Sequence, residues 1–418
     1  MKKKYIIFSI VTLVLLVSFL SYSKYLKTTN VCKEDVKPTK ITKGISMNLE
    51  QTAGAGDYKQ VTQSNWPTEG YEFNAELSKC ENGSTLSWDD TKKAVIVSGN
   101  TSDKCYVYFD KLLVLSEVCG DKTLKDCVIA QYTGTQGQNN IYYHKSSLSN
   151  GAGDNSYRYA GASDQVNNFV CFGSTTNPCP IDNLYRIIGV IDGKVKLIKY
   201  DYANRNLLGT TGESPYHTSP PSKYQGTLTD IDIYHLKSSP STNDWSVSQL
   251  NKTNLNTSFI NNIGTTWASK IITTTWKVGG NTSANISGVV PKTAYQYEVG
   301  SSASSTTYDA KIGLMYVSDY YYAAGPSAWT LVGYNSSDST KDYRIAITIN
   351  WMYMGFDDWT LTPYTDDSEM MFGIHRDGNV INGFVGIDMY GVRPVFNLDT
   401  SVTYVSGDGT KSSPIRIN

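Results

Sequence analysis

Between Asn183 and Asp201 the chain reads NLYRIIGVIDGKVKLIKYD, two apolar runs joined by Asp-Gly. The pair Asp192-Gly193 suits a type I′ turn, in which both central residues need positive φ. Leu184 to Ile191 and Lys194 to Tyr200 are therefore expected to form an antiparallel hairpin. The surrounding composition points the same way. The 31 tyrosines and 34 glycines, with abundant Ser, Thr and Asn, suggest many short strands joined by polar turns. An α+β, β-rich fold follows. Tyr, Ser, Gly and Asn are also the residues that dominate protein recognition surfaces, because Tyr offers a large amphipathic contact area at low entropic cost.

The N-terminus limits where such a chain works. Lys2, Lys3 and Lys4 precede an uncharged run from Tyr5 to Ser23, which as a helix spans about 28 Å, close to a bilayer's hydrocarbon thickness. Residues 1–28 are expected to form a signal anchor or transmembrane helix with the C-terminal bulk outside the cell. A cleaved, secreted form is the alternative, with a weak site at Ser21 to Ser23. The leader lacks the glycine and glutamate of a type IV prepilin. With 37 Lys+Arg against 38 Asp+Glu there is no overall field to attract nucleic acid.

Seven cysteines, Cys32, Cys80, Cys105, Cys119, Cys127, Cys171 and Cys179, all fall in the first half of the chain. Pairing neighbours gives Cys80–Cys105, Cys119–Cys127 and Cys171–Cys179, the most economical of the connectivities that six cysteines allow. Disulfides agree with an exported location, and no spacing suits zinc. Cys32 is left over, without a lipobox before it, and is available for an intermolecular bridge that would make an oligomer.

Three regions follow the anchor. Residues 29–112 alternate β-like runs with turns and are expected to be a small disulfide-tied β-sandwich domain; in KCYVYFD, Cys105, Val107 and Phe109 fall on one face. Residues 113–180 read as a disulfide-containing connecting region with one helix, SEVCGDKTLKDCVIAQ, and a Gly/Ser/Asn-rich tract. Residues 181–418 begin with the hairpin. They continue through helical material in which Asn243 or Asp244 caps a helix bearing Trp245, Val247 and Leu250. Phe259, Ile260 and Ile263 then form one apolar stripe and Trp267, Ile271 and Ile272 another, with the tryptophans read as core.

The hairpin LYRIIGV, the Trp-centred DDWTLTPY from Asp357 to Tyr364, the turn HRDGNV from His375 to Val380 and the closing YGVRPVFNL carry a resemblance. Residues 181–418 resemble an uncharacterised family of bacterial surface proteins related to the formylglycine-generating-enzyme branch of the C-type-lectin-like fold. The resemblance implies a C-terminal C-type-lectin-like domain. It also implies that Arg393 is structural, a buried guanidinium with Asp357 or Asp358 as its partner where the last strand meets the first hairpin. One departure is clear: Thr360, Leu361 and Thr362 stand between Trp359 and Pro363, where family members often carry Arg and Ser, so no anion contact by that arginine transfers. Pro394, lacking an N–H, suits a strand end or edge.

The residues give little support to catalysis. The branch's oxygen-dependent chemistry needs paired cysteines late in the domain, and none follows Cys179. His144, His217, His235 and His375 are scattered, and no nucleophile-elbow, zincin or P-loop spacing occurs. Asp357, Asp358, Asp366, Asp367 and Glu369 could serve a hydrolase or bind Ca2+, but adjacent carboxylates on a strand face opposite ways, and the calcium-lectin signatures are absent. No metal site and no cofactor beyond a possible Ca2+ is expected.

The first reading is thus a membrane-anchored extracellular recognition or adhesion protein without catalysis. Its glycan or surface-protein ligand would meet the loops from about Tyr320 to Glu369 through Tyr320, Tyr321, Tyr322, Trp329, Trp359 and Tyr364. Exposure of these rings would suit stacking, and their burial would make them core. A self-assembling surface component and a secreted hydrolase are the alternatives.

Overall fold

The computed structural model describes residues 44–418 apart from 62–66, 68, 90, 100–102, 214–217, 237–241 and 330–345. The expected anchor at 1–28, Cys32 and His217 lie outside the described residues. Among the described residues no helix is long and apolar enough to cross a membrane.

The chain divides into two compact units, Met1–Leu113 and Val114–Asn418. In the first, the strand Cys105–Lys111 is the organiser. It pairs in parallel with Ile45–Glu50, and antiparallel with Tyr71–Phe73 and Lys79–Cys80. The alternation read from the sequence holds: Cys105, Val107 and Phe109 are buried while Tyr106, Tyr108 and Asp110 are half-buried. Their apolar face, with Met47 and Leu49, packs against Leu86, Trp88 and Val95 of a separate hairpin, Thr85–Asp89 with Ala94–Ser98. The strand Ile45–Glu50 is an addition to the five expected ones. Its burial comes from its parallel partner 60 residues away in sequence, roughly, a distance over which local pattern carries no signal.

The second unit is built on a seven-stranded antiparallel sheet in which the predicted hairpin is central. Leu184–Ile191 and Lys194–Lys199 pair, with Asp192 at φ 50° and Gly193 at φ 69° as the type I′ turn requires. Gly189 marks a register shift in the first strand, and a Cβ there would lie 2.2 Å from the Tyr157 carbonyl oxygen. The closing strand Val395–Asn397 lies between Lys196–Ile198 and Ile312–Gly313. Pro394 stands at the start of this central strand, where its carbonyl accepts the Lys199 N–H at 3.0 Å.

Two expectations are corrected here. Residues 113–180 do not form a connecting region: Ile141–Tyr143, Tyr157–Tyr159 and Phe169–Cys171 join the sheet of the hairpin. Their polar Gly/Ser/Asn-rich surroundings hide strands only three residues long, too short to display a period. The single helix over SEVCGDKTLKDCVIAQ is two helices, Leu115–Cys119 and Leu124–Ala130, separated at Gly120 (φ 48°) and restarted by Thr123, whose side chain accepts the Asp126 N–H. Among the described residues there are three disulfides, Cys80–Cys105, Cys119–Cys127 and Cys171–Cys179, the pairs expected from sequence order.

Asp244 caps a single helical turn, Trp245–Val247, which leads into a wide π-type helix, Leu250–Phe259. Trp245, Leu250 and Phe259 are buried, whereas Val247 is exposed. The unit also holds a three-stranded sheet, Asp358–Pro363, Met370–Ile374 and Val380–Phe384, and two short pairs, Thr274–Lys277 with Thr307–Ala310 and Tyr404–Ser406 with Arg416–Ile417.

Candidate functional site

The aromatic residues expected to form a binding surface are instead core. Tyr320, Tyr321, Tyr322, Trp329 and Trp359 are each at most 1% exposed. The three tyrosines occupy one short helix, Val317–Tyr322, and each hydroxyl reaches a different distant carbonyl: Gly378 at 2.8 Å, Ile286 at 3.1 Å and Asn150 at 3.1 Å. Trp329 and Trp359 donate their indole N–H groups to the carbonyls of Ala324 and Tyr234. Large amphipathic rings become core when their single polar atom finds an acceptor, and here all five do. Tyr364 is half-buried, its ring packed edge-on against Phe372.

Arg393 is 3% exposed and donates Nε–H to Asp358 Oδ2 at 2.6 Å and Nη2–H to the Met352 carbonyl at 2.9 Å. Of the two candidate partners, Asp358 meets it. Burial raises the Asp358 pKa to about 6 against the opposing pull of Arg393, and Asp358 Oδ1 has no hydrogen-bond partner. Asp357 turns away and accepts from the backbone and guanidinium of Arg376 at 2.8 and 2.5 Å. The two adjacent carboxylates thus diverge, as neighbouring positions near a strand must, and each has its own arginine. Among the described residues no three His, Cys, Asp or Glu side chains are placed to hold a metal ion.

A second buried charged group surrounds the tyrosine helix. Asp319 pairs with Lys196 and, at 3.4 Å, with Arg158, which also binds Asp154 at 2.8 Å. Glu298 accepts the N–H groups of Val317 and Ser318 and the hydroxyl of Thr362, yet burial raises its pKa to about 7. His144 accepts the Ala152 N–H at Nδ1, leaving the proton on Nε2. Burial, aided by Arg158, lowers its pKa to about 3. These interactions tie the helix to the sheet.

A different place presents an aromatic surface to solvent. An open groove of about 340 Å³ runs beside the Cys171–Cys179 disulfide, with Trp267, Arg416, Ser174, Thr175 and Asn177 among its lining residues. The short helix Thr265–Ala268 buries Ala268 and leaves the Trp267 indole half-buried, with Phe172 edge-on behind it at 5.0 Å. At the strand pair that ends the fold Ile415 and Ile417 are buried, and Arg416 between them stands half-buried at the groove, whose wall Ile417 also touches.

Arg416 grips the loop closed by the disulfide. Nη1 donates to Cys171 Sγ at 3.1 Å and to the Ser174 carbonyl at 3.5 Å; Nη2 donates to the Thr176 carbonyl at 2.8 Å and Asn177 Oδ1 at 3.4 Å. All four acceptors are neutral, so the guanidinium is positioned without being neutralised.

Neither Trp267 nor Arg416 stands among the residues expected to bind. Trp267 reads as part of an apolar helical stripe, which the structure corrects. Arg416 sits in the terminal PIRIN, whose Ile-Arg-Ile alternation is the one signal that would have placed it on an outer face.

No known protein family matches the chain, and no curated protein and no solved structure is significantly similar to it.

Proposed function

We propose that this protein is a membrane-anchored extracellular recognition or adhesion protein without catalysis, whose C-terminal unit is C-type-lectin-like and whose ligand seats in the groove beside Trp267. The observation that carries the reading is the groove: a half-exposed indole next to an arginine held only by neutral acceptors. Three disulfides support an oxidising compartment. The anchor rests on Lys2 to Lys4 and the uncharged run behind them. The order of hairpin, helices and a closing strand laid against the hairpin supports the lectin-like resemblance. The hydrolase reading loses its best acidic pair, since Asp357 and Asp358 face different arginines.

The test is binding of the purified protein to a panel of glycans, cell-wall polymers and surface proteins, with and without calcium. Saturable binding that weakens in Trp267→Ala, with the far-UV circular-dichroism spectrum unchanged, supports the groove. Binding indifferent to that substitution removes it.

Self-assembly is the second reading, and one surface favours it. Val380–Phe384 is one of the two outer strands of its sheet, with Phe384 37% and Ile387 73% exposed near its end. Such an edge is a template for a second chain. Concentration-dependent size in light scattering, abolished by Ile387→Lys, would mark it as the working surface.

A further inference from the structure

Several cations in the second unit have an acidic partner: Arg158 and Lys196 share Asp319, the exposed Arg376 pairs with Asp357, and Arg393 with Asp358, whereas the buried Arg186 meets neutral acceptors and Lys199 Nζ meets none. The groove differs in that its cation without an acidic partner stands near solvent. Arg416 meets four neutral acceptors, and Lys270 Nζ stands 5.9 Å from the Trp267 ring centroid. Among the described residues neither has a carboxylate within ion-pair distance. Arg416 on the groove wall and Lys270, which stands beside the ring but outside the lining, are thus two cations without a carboxylate partner near one half-buried indole.

The rest of the lining is mixed. Ser174, Thr175 and Ser406 offer hydroxyls and Asn177 an amide, which can donate and accept, beside the apolar Val405 and Ile417 and the Cys171 sulfur. The polar groups suit a ligand rich in hydroxyls. An indole face suits the apolar C–H face of a sugar ring. A guanidinium fixed by its neighbours suits a carboxylate or phosphate, whose charge it meets at little ordering cost.

We infer that the groove takes an acidic sugar chain, a carbohydrate whose rings carry carboxylate or are linked through phosphate. This rests on the reading of the groove as the binding site. Trp267 packs against a ring, Arg416 and Lys270 receive the anionic group, and the hydroxyl and amide rim receives the sugar hydroxyls. The loop carrying Ser174, Thr175 and Asn177 is held open by the Cys171–Cys179 disulfide and by Arg416, so the site exists before the ligand arrives.

The experiment measures binding of the whole protein, in detergent or nanodiscs, to polygalacturonate, to a ribitol-phosphate teichoic acid and to uncharged dextran. Saturable binding to at least one of the two anionic polymers and none to dextran is expected, weakening with added salt. Which polymer binds tells carboxylate from phosphate.

Trp267→Ala and Arg416→Gln should each weaken that binding about tenfold or more. Lys270→Gln should weaken it roughly two- to fivefold. Because Arg416 also holds the loop, Lys270→Gln is the informative variant should Arg416→Gln lose its fold.

Dextran binding as strong as the anionic polymers, still sensitive to Trp267→Ala, overturns the acidic assignment and leaves the groove as a site. Absence of binding to both anionic polymers also overturns it, and the wider panel then decides the groove. Anionic binding unchanged in all three variants overturns both.

Discussion

Arg393 and Arg416 lie in the same closing stretch of chain, and their surroundings differ in one respect that decides what each can do. Arg393 is buried with Asp358 at 2.6 Å and a backbone carbonyl at 2.9 Å, so its charge is consumed within the fold. Arg416 binds only carbonyls, an amide oxygen and a sulfur at the wall of an open groove, so its charge remains available. The aromatic residues divide in the same way. Trp359 is fully buried, with its N–H on the Tyr234 carbonyl, whereas Trp267 shows part of its face to solvent. Residue type is shared; the partner and the exposure separate the structural role of Arg393 and Trp359 from the recognition role proposed for Arg416 and Trp267.

The strongest challenge to this contrast is truncation of the two arginines. Arg393→Ala leaves Asp358 buried and unpaired and should cost about 3–5 kcal/mol in urea unfolding. Arg416→Ala removes only charged-to-neutral hydrogen bonds at a solvated wall and should cost roughly 1–2 kcal/mol. Equal costs would erase the distinction.

Tryptophan truncation sharpens it next. Trp359→Ala should cost about 3–5 kcal/mol through the cavity left behind. Trp267→Ala, half-exposed, should cost about 1–2 kcal/mol. The reverse order in thermal unfolding would place Trp267 in the core.

A third comparison lies within one strand. Lys196 and Lys199 are both buried, but Lys196 meets Asp319 while Lys199 Nζ has no hydrogen-bond partner. Burial lowers the Lys199 pKa, with Asp201 and Asp182 opposing it. Replacing an unpaired buried amine by an apolar chain of similar length removes an uncompensated polar group, so Lys199→Met should raise stability by about 1 kcal/mol. Lys196→Met should lower it, because Asp319 then loses a cation.

The last comparison is of pH dependence, where two buried groups oppose one another. The Glu298 pKa is raised from 4.5 to about 7, so its contribution is full below about 4.5 and is lost as pH rises through 7. His144 is lowered from 6.5 to about 3, so its contribution is full above 6.5 and is lost as pH falls through 3. The difference between wild type and Glu298→Gln isolates the first. The variant should be less stable throughout, since a carboxamide cannot accept both backbone N–H groups, and its deficit should be largest at low pH and shrink toward pH 8.

The same contrast explains how much was legible beforehand. The turn Asp192-Gly193 dictates its own geometry, and the cysteines pair over short separations, so both could be read locally. The strand with Cys105, Val107 and Phe109 displayed its buried face by alternation alone. The tyrosines could not be read in this way. Three successive rings on one helix point in three directions, and their burial needed acceptors at Gly378, Ile286 and Asn150, all brought from elsewhere in the chain. Trp267 failed for the opposite reason. It falls in an apolar pattern, but the four-residue helix that carries it is too short to turn every apolar residue inward.

By its sequence alone this protein is a β-rich chain with a hairpin and locally paired cysteines. Those features depend on φ preferences, side-chain alternation and short loops, which are properties of neighbouring residues. Only the tertiary structure chose Asp358 over Asp357, drew residues 113–180 into the sheet, closed the core over five expected surface aromatics and left Trp267 and Arg416 at a groove. Each of those outcomes depends on which distant carbonyl, carboxylate or ring reaches a side chain once the sheet has formed, and solvent exposure is a property of that assembled neighbourhood.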